Sequence, residues 1–118
     1  MPSRSPRRRL EDIARNIDAI AEFVAGMSFD DFLADQKTSY AVLRALEINS
    51  EASRRGPDVV KERHPHIDWR AIAGAGNIYR HDYDNVDDSL TWHTIQHELA
   101  PLRAVVAAEL TLIEGDGP

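Results

Sequence analysis

Apolar side chains recur at helical spacing along nearly the whole chain. Leu10, Ile13, Ile17, Ile20 and Val24 advance in steps of three and four, which places them in one stripe. The spacing predicts a helix from about Leu10 to Ala25, stopped at Gly26. Ser28-Phe29-Asp30-Asp31 has the form of a capping box and predicts a short helix carrying Phe29, Phe32 and Leu33. A third helix is expected from Thr38 to Arg54, with Tyr40, Val42, Leu43, Leu46 and Ile48 on its apolar face and Gly56-Pro57 as its end. Asp58 to about Arg63 makes one short helical turn, and Pro65 then breaks regularity within His64-Pro65-His66.

Asp68 is placed to cap a fifth helix, running to about Arg80 with Trp69, Ile72 and Ala73 inward. Gly74 and Gly76 weaken that helix by roughly 1 kcal/mol each relative to alanine. Close approach of a neighbouring helix, or access to a site, would account for them. The last helical region runs from Asp87 to Glu114, with Trp92, Ile95, Leu99, Leu102, Val106 and Ile113 in its stripe. Pro101 removes a backbone donor there and should kink the rod or start a new helix. No strand-like alternation and no repeat interrupts the pattern. The fold class is therefore all-α: an antiparallel up-and-down bundle of about four principal helices plus short connecting helices.

Composition narrows the function classes. The 118 residues make one domain with a modest core, and the apolar runs are too short to cross a bilayer. Residues 1–9 form a basic segment expected to be a mobile arm, residues 10–114 a single helical domain, and residues 115–118 a flexible tail. No apolar run follows Arg7-Arg8-Arg9, so a secretory leader is not expected and a cytoplasmic location is. The absence of cysteine excludes disulfides and thiolate metal sites. A net charge of −6 argues against broad nonspecific binding to nucleic acid, so contact with RNA requires a local basic patch or a dimer that concentrates one.

The chemistry-bearing stretch is Gly76-Asn77-Ile78-Tyr79-Arg80-His81-Asp82-Tyr83, where the fifth helix runs out before Asp84, Asp87 and Asp88. A guanidinium can grip a phosphate with a planar fork of donors, and an imidazole moves protons near neutral pH. Arg80 beside His81 therefore suits chemistry on a phosphodiester. The plainer reading is a helix end whose negative dipole is capped by Arg80 and His81, with Tyr83 buried. The acidic neighbours could raise the pKa of His81 or repel RNA. Elsewhere, Glu47 and Glu51 share a helix face and read as solvated surface rather than an acid–base pair. His93 and His97 have a spacing that can seat a metal, but Thr94 stands where a zinc-protease motif has glutamate. No metal and no cofactor is expected.

The chain from about Arg9 to Ile113 resembles the HepT-like members of the HEPN superfamily. The resemblance rests on Arg9-Leu10-Glu11-Asp12-Ile13, Phe32-Leu33-Ala34-Asp35 and Leu46-Glu47-Ile48. It continues through Ile67-Asp68-Trp69-Arg70-Ala71-Ile72-Ala73-Gly74, His81-Asp82-Tyr83 and Val86-Asp87 with Trp92. It implies an all-helical homodimer and a metal-independent endoribonuclease. Such proteins commonly act as the toxin of a toxin–antitoxin pair whose partner is a small, MntA-like nucleotidyltransferase. The motif of the family is arginine, four residues, histidine, one residue, tyrosine. It places His81 and Tyr83 as catalytic residues, with Asn77 and Asp82 in support. The arginine position is Gly76 here, and Arg80, one helical turn on, is the candidate replacement. The resemblance also implies Tyr83 as the residue to which the nucleotidyltransferase attaches AMP. With Gly76 in the motif, the alternative is a catalytically degenerate dimer that serves as partner or modification substrate of the nucleotidyltransferase.

Overall fold

A computed structural model describes residues 5–56, 58–73 and 87–116, with side chains through Ile113. Helix α1 spans Pro6–Phe23. It begins four residues before the expected Leu10, so residues 6–9 of the expected arm are its first turn. The cause is local: Ser5 accepts a hydrogen bond from the Arg8 amide at 3.2 Å, and Pro6 stands at a position where a missing N–H does no harm. Gly26 has φ of 76°, the left-handed conformation that favours glycine after a helix.

Helix α2 (Phe29–Ala34) carries the expected capping box in both directions. Ser28 Oγ accepts from the Asp31 amide at 3.1 Å, and Asp31 Oδ2 accepts from the Ser28 amide at 3.0 Å. Phe32 is fully buried, but Leu33 is 50% exposed and does not belong to the core. Helix α3 (Gln36–Arg55) starts before the expected Thr38 because Asp35 caps it, accepting from the Thr38 amide at 3.0 Å and its hydroxyl at 2.8 Å. The bonds from Thr38, the backbone amide foremost, hold the Asp35 carboxyl below its ordinary pKa.

The inward face of α3 is rotated from the expected one. Tyr40 is 58% exposed, while Val42, Ala45, Leu46, Asn49, Ser50, Ala52 and Ser53 are buried. Counting only large apolar residues misplaced the stripe, because its second half is made of small and polar side chains.

Helix α4 (Asp58–Arg63) leads through 64–68 to the helical residues 69–73, labelled α5. Beyond residue 87, α6 (Asp88–His93) passes through a wider π-type turn, Thr94–Glu98, into α7 (Leu99–Asp116). The break expected near Pro101 takes the form of this widened turn, and α7 starts at Leu99, two residues before the proline. A proline has no N–H and its ring crowds the carbonyl four residues back, here that of His97 inside the widened turn.

Helix α1 packs against both α3 and α7, and α2 closes over α3. Ile17 and Ile20 of α1, Val42 and Leu46 of α3, and Leu102 and Val106 of α7 are buried in one core. Each such side chain contributes roughly 1.5–3 kcal/mol relative to exposure. Arg103 of α7 donates to both Asp18 oxygens at 3.0 and 3.2 Å, fixing α7 against α1. The described residues contain no strand, and the all-α helical bundle is the observed architecture. Among them no helix is long and apolar enough to cross a membrane.

Candidate functional site

Gly76, Asn77, Arg80, His81, Asp82 and Tyr83 lie outside the described residues, as does Asp84. The structure describes what holds the two ends of the segment that carries them. On the incoming side, Asp68 Oδ1 accepts from the Ala71 amide at 3.0 Å, which confirms Asp68 as the cap of α5. Trp69 is fixed through its indole N–H, which donates to the His64 carbonyl at 2.9 Å. The Ala73 carbonyl accepts from the Ser50 hydroxyl at 2.9 Å and from Arg54 Nη2 at 3.4 Å. The last described residue of α5 is therefore tied to the C-terminal half of α3.

On the outgoing side, Asp87 caps α6. Its Oδ1 accepts from the amides of Ser89 at 2.8 Å and Leu90 at 3.3 Å, and its carbonyl accepts from the Thr91 hydroxyl at 3.2 Å. Asp88 follows in the first turn of α6. These two acids, expected to crowd an anion site, have a local purpose: carboxylates at a helix start satisfy amides and oppose the dipole.

Between the two anchors lies a cleft of about 590 Å³. Its apolar lining includes Leu46, Ile67, Ile72, Leu99 and Leu102. Asn49, His66, Asp68, Asp87, His97 and Glu98 supply its polar lining. Asn49 is only 2% exposed, and among the described residues neither its Nδ2 nor its Oδ1 has a hydrogen-bond partner. Ser53, one turn on along α3, is also buried, and its hydroxyl has no partner among the described residues. Sequence reasoning missed both. Polar residues interrupting the apolar face one turn after Leu46 were the available signal.

A second polar cluster was also missed, because its members are far apart in sequence. Glu109 of α7 is 2% exposed and accepts from Arg63 Nε at 3.0 Å, from Arg63 Nη2, and pairs with His64 Nε2 at 2.7 Å. The Arg63 hydrogen bonds hold its carboxyl below the usual range against the opposing effect of burial, and His64 adds to them. His64, in the stretch that Pro65 breaks, is part of this lock.

The remaining sequence candidates are not assembled into a site. Glu47 pairs with Arg44 at 2.8 Å, and Glu51 with Arg55 at 2.6 Å, as expected of a solvated face. The rings of His93 and His97 approach to 4.7 Å, both exposed. Among the described residues no group of three or more histidine, aspartate or glutamate side chains is arranged to hold a metal. Trp92 packs on Phe29 and Phe32 at ring-centroid distances of 6.0 and 5.2 Å, which holds the end of α6 against α2.

The family described as "Ribonuclease HepT-like" matches residues 13–109. Over 100 residues the chain is 43% identical to "Probable ribonuclease HepT" of Thermococcus cleftensis, covering 85% of this chain and 91% of that protein. It is 35% identical over 103 residues to "Putative RNase TTE0752" of Caldanaerobacter subterraneus, covering 87% and 92%. With "Putative RNase MJ1216" of Methanocaldococcus jannaschii it shares 31% identity over 115 residues, covering 98% and 95%. No solved structure matches the chain. A match from α1 into α7, on a helical bundle that anchors both ends of the histidine-bearing segment, decides the assignment: the chain belongs to the HepT-like ribonuclease family.

Proposed function

We propose that the chain is a metal-independent endoribonuclease that acts as the toxin of a toxin–antitoxin pair. The observation that carries this reading is the family match over residues 13–109, shared with relatives named as ribonucleases. In this reading His81 takes the proton of an RNA 2′-hydroxyl as its oxygen attacks the adjacent phosphorus. The bond to the 5′-oxygen of the next nucleotide then breaks, and that oxygen is protonated as it leaves. Arg80 stabilises the charge that builds on the phosphate oxygens, in place of the arginine absent at Gly76. A second copy of the chain supplies the opposite wall of the cleft. A small nucleotidyltransferase neutralises the toxin by transferring AMP from ATP to the Tyr83 oxygen, which forms the new bond to the α-phosphorus as pyrophosphate leaves. The added phosphate then competes with substrate for the cation.

Gly76 favours a second reading, a catalytically silent dimer that only binds the nucleotidyltransferase or receives its AMP. One experiment separates them. The full chain is purified alone and after co-expression with the nucleotidyltransferase, then assayed on single-stranded RNA and weighed intact. The toxin reading expects cleavage by the protein alone and loss of cleavage in His81→Ala. It expects a fall of about 10²-fold or more in Arg80→Ala. The co-expressed protein should be silent and carry an AMP-sized adduct that is absent in Tyr83→Phe. No cleavage by the unmodified wild type, with the adduct present, supports the silent partner instead.

A further inference from the structure

We infer that the cleft between α3 and the turn joining α6 to α7 is a nucleobase pocket, and that Asn49 reads the base. The inference rests on the ribonuclease reading only for the source of the base, an unpaired nucleotide of the RNA substrate. Its physical basis is the unmatched amide. Burying a carboxamide with no partner is costly, and Asn49 carries both a donor and an acceptor in that condition among the described residues. A single ligand edge that offers an acceptor beside a donor would satisfy both at once. The N6 and N7 edge of adenine is such an edge, and asparagine is the side chain that pairs with it. Asn49 lies on the inner wall of the cleft, and the broad torsion of its terminal amide lets it turn toward a seated ring.

The rest of the cleft fits the same class of ligand. Its volume of about 590 Å³ suits a nucleoside-sized molecule, and Leu46, Ile72 and Leu99 offer apolar contact to a ring face. His66 and His97 add imidazoles, which stack on bases. The acids decide which part of a nucleotide enters. Asp68, Asp87 and Glu98 are exposed at the cleft and would repel a phosphate, whereas a neutral base meets no such penalty. The pocket therefore takes the base and leaves the phosphodiester outside. Chain connectivity fixes the relation to the proposed chemistry: Ile72 and Asp87 of the lining stand at the two ends of the segment that bears His81.

The test uses free nucleosides, so that it does not depend on cleavage. Binding of adenosine, guanosine, cytidine, uridine and, as a control without a base, ribose 5-phosphate to the full-length protein is followed by NMR titration. Adenosine should bind best and ribose 5-phosphate not at all. Asn49→Leu, close in shape but without the amide, should weaken adenosine by about tenfold or more. It should also raise the thermal midpoint by a few degrees, about 4 °C per kcal/mol for a chain of this size. Ala71→Leu, which adds bulk at an exposed lining position, should weaken binding without touching the core. Two results would overturn the inference: no nucleoside binding by wild type at millimolar concentration, or unchanged adenosine affinity in both variants. An inactive ribonuclease that still binds adenosine would overturn the catalytic reading and leave the base pocket standing.

Discussion

Glu109 and Asn49 are buried to the same degree and could hardly differ more in how they are matched. Glu109 carries a full charge and is saturated: Arg63 and His64 both point at it. Asn49 is neutral and has no partner for either polar atom among the described residues. The charged group, far costlier to bury alone, is the one the fold has completed. Its network ties α4 and the 64–68 turn to α7. The amide borders the cleft that Ile72 and Asp87 also line. Completed polar networks hold a structure in place, while an incomplete one beside a cavity is where a ligand gains most.

The comparison can be broken most directly at Arg63. Arg63→Met leaves the Glu109 carboxylate buried with a single histidine partner, and because the Arg63 side chain is itself half exposed the loss should be about 1–3 kcal/mol. Urea denaturation measures the loss, and a change below about 1 kcal/mol would show that the network holds little.

A smaller effect is expected from pH. The Glu109 carboxyl is held below its ordinary pKa, so its contribution is fully present above the ordinary carboxylate range. It disappears as pH falls through the depressed folded value. Wild type should therefore lose stability on acidification more steeply than Glu109→Gln, and parallel acid limbs in the two proteins would contradict the assignment. The smallest effect belongs to the surface. Arg44→Ala breaks an exposed pair with Glu47 and should change stability by no more than about 0.5 kcal/mol, measured the same way.

The fold was largely legible because its signals are local. The stripe of α1, the capping box at Ser28 and the cap at Asp68 each need only a few consecutive residues, and each was found where expected. The face of α3 was misjudged because burial there depends on what lies opposite. Small polar residues replace large apolar ones at Asn49, Ser50 and Ser53. The Arg63–His64–Glu109 lock was invisible for a different reason: Glu109 stands 46 and 45 positions from Arg63 and His64, and no spacing rule links them. The motif around His81 was legible only through resemblance, since three side-chain types near a helix end fit many roles. Its placement lies outside the described residues.

The widened turn at Thr94–Glu98 also affects how this chain is aligned with others. A π-type turn takes up one more residue than an α-turn before the helix resumes. Positions on either side of it therefore follow different phases, and a single helical wheel drawn through both would misassign faces on one side. Relatives without a proline at the position of Pro101 have no steric reason to keep the extra residue. A one-residue gap between the counterparts of His93 and Leu99 is then the natural result of comparison. Such a gap would be an insertion absorbed inside a rod, with the inward faces of α6 and α7 left in register with the core.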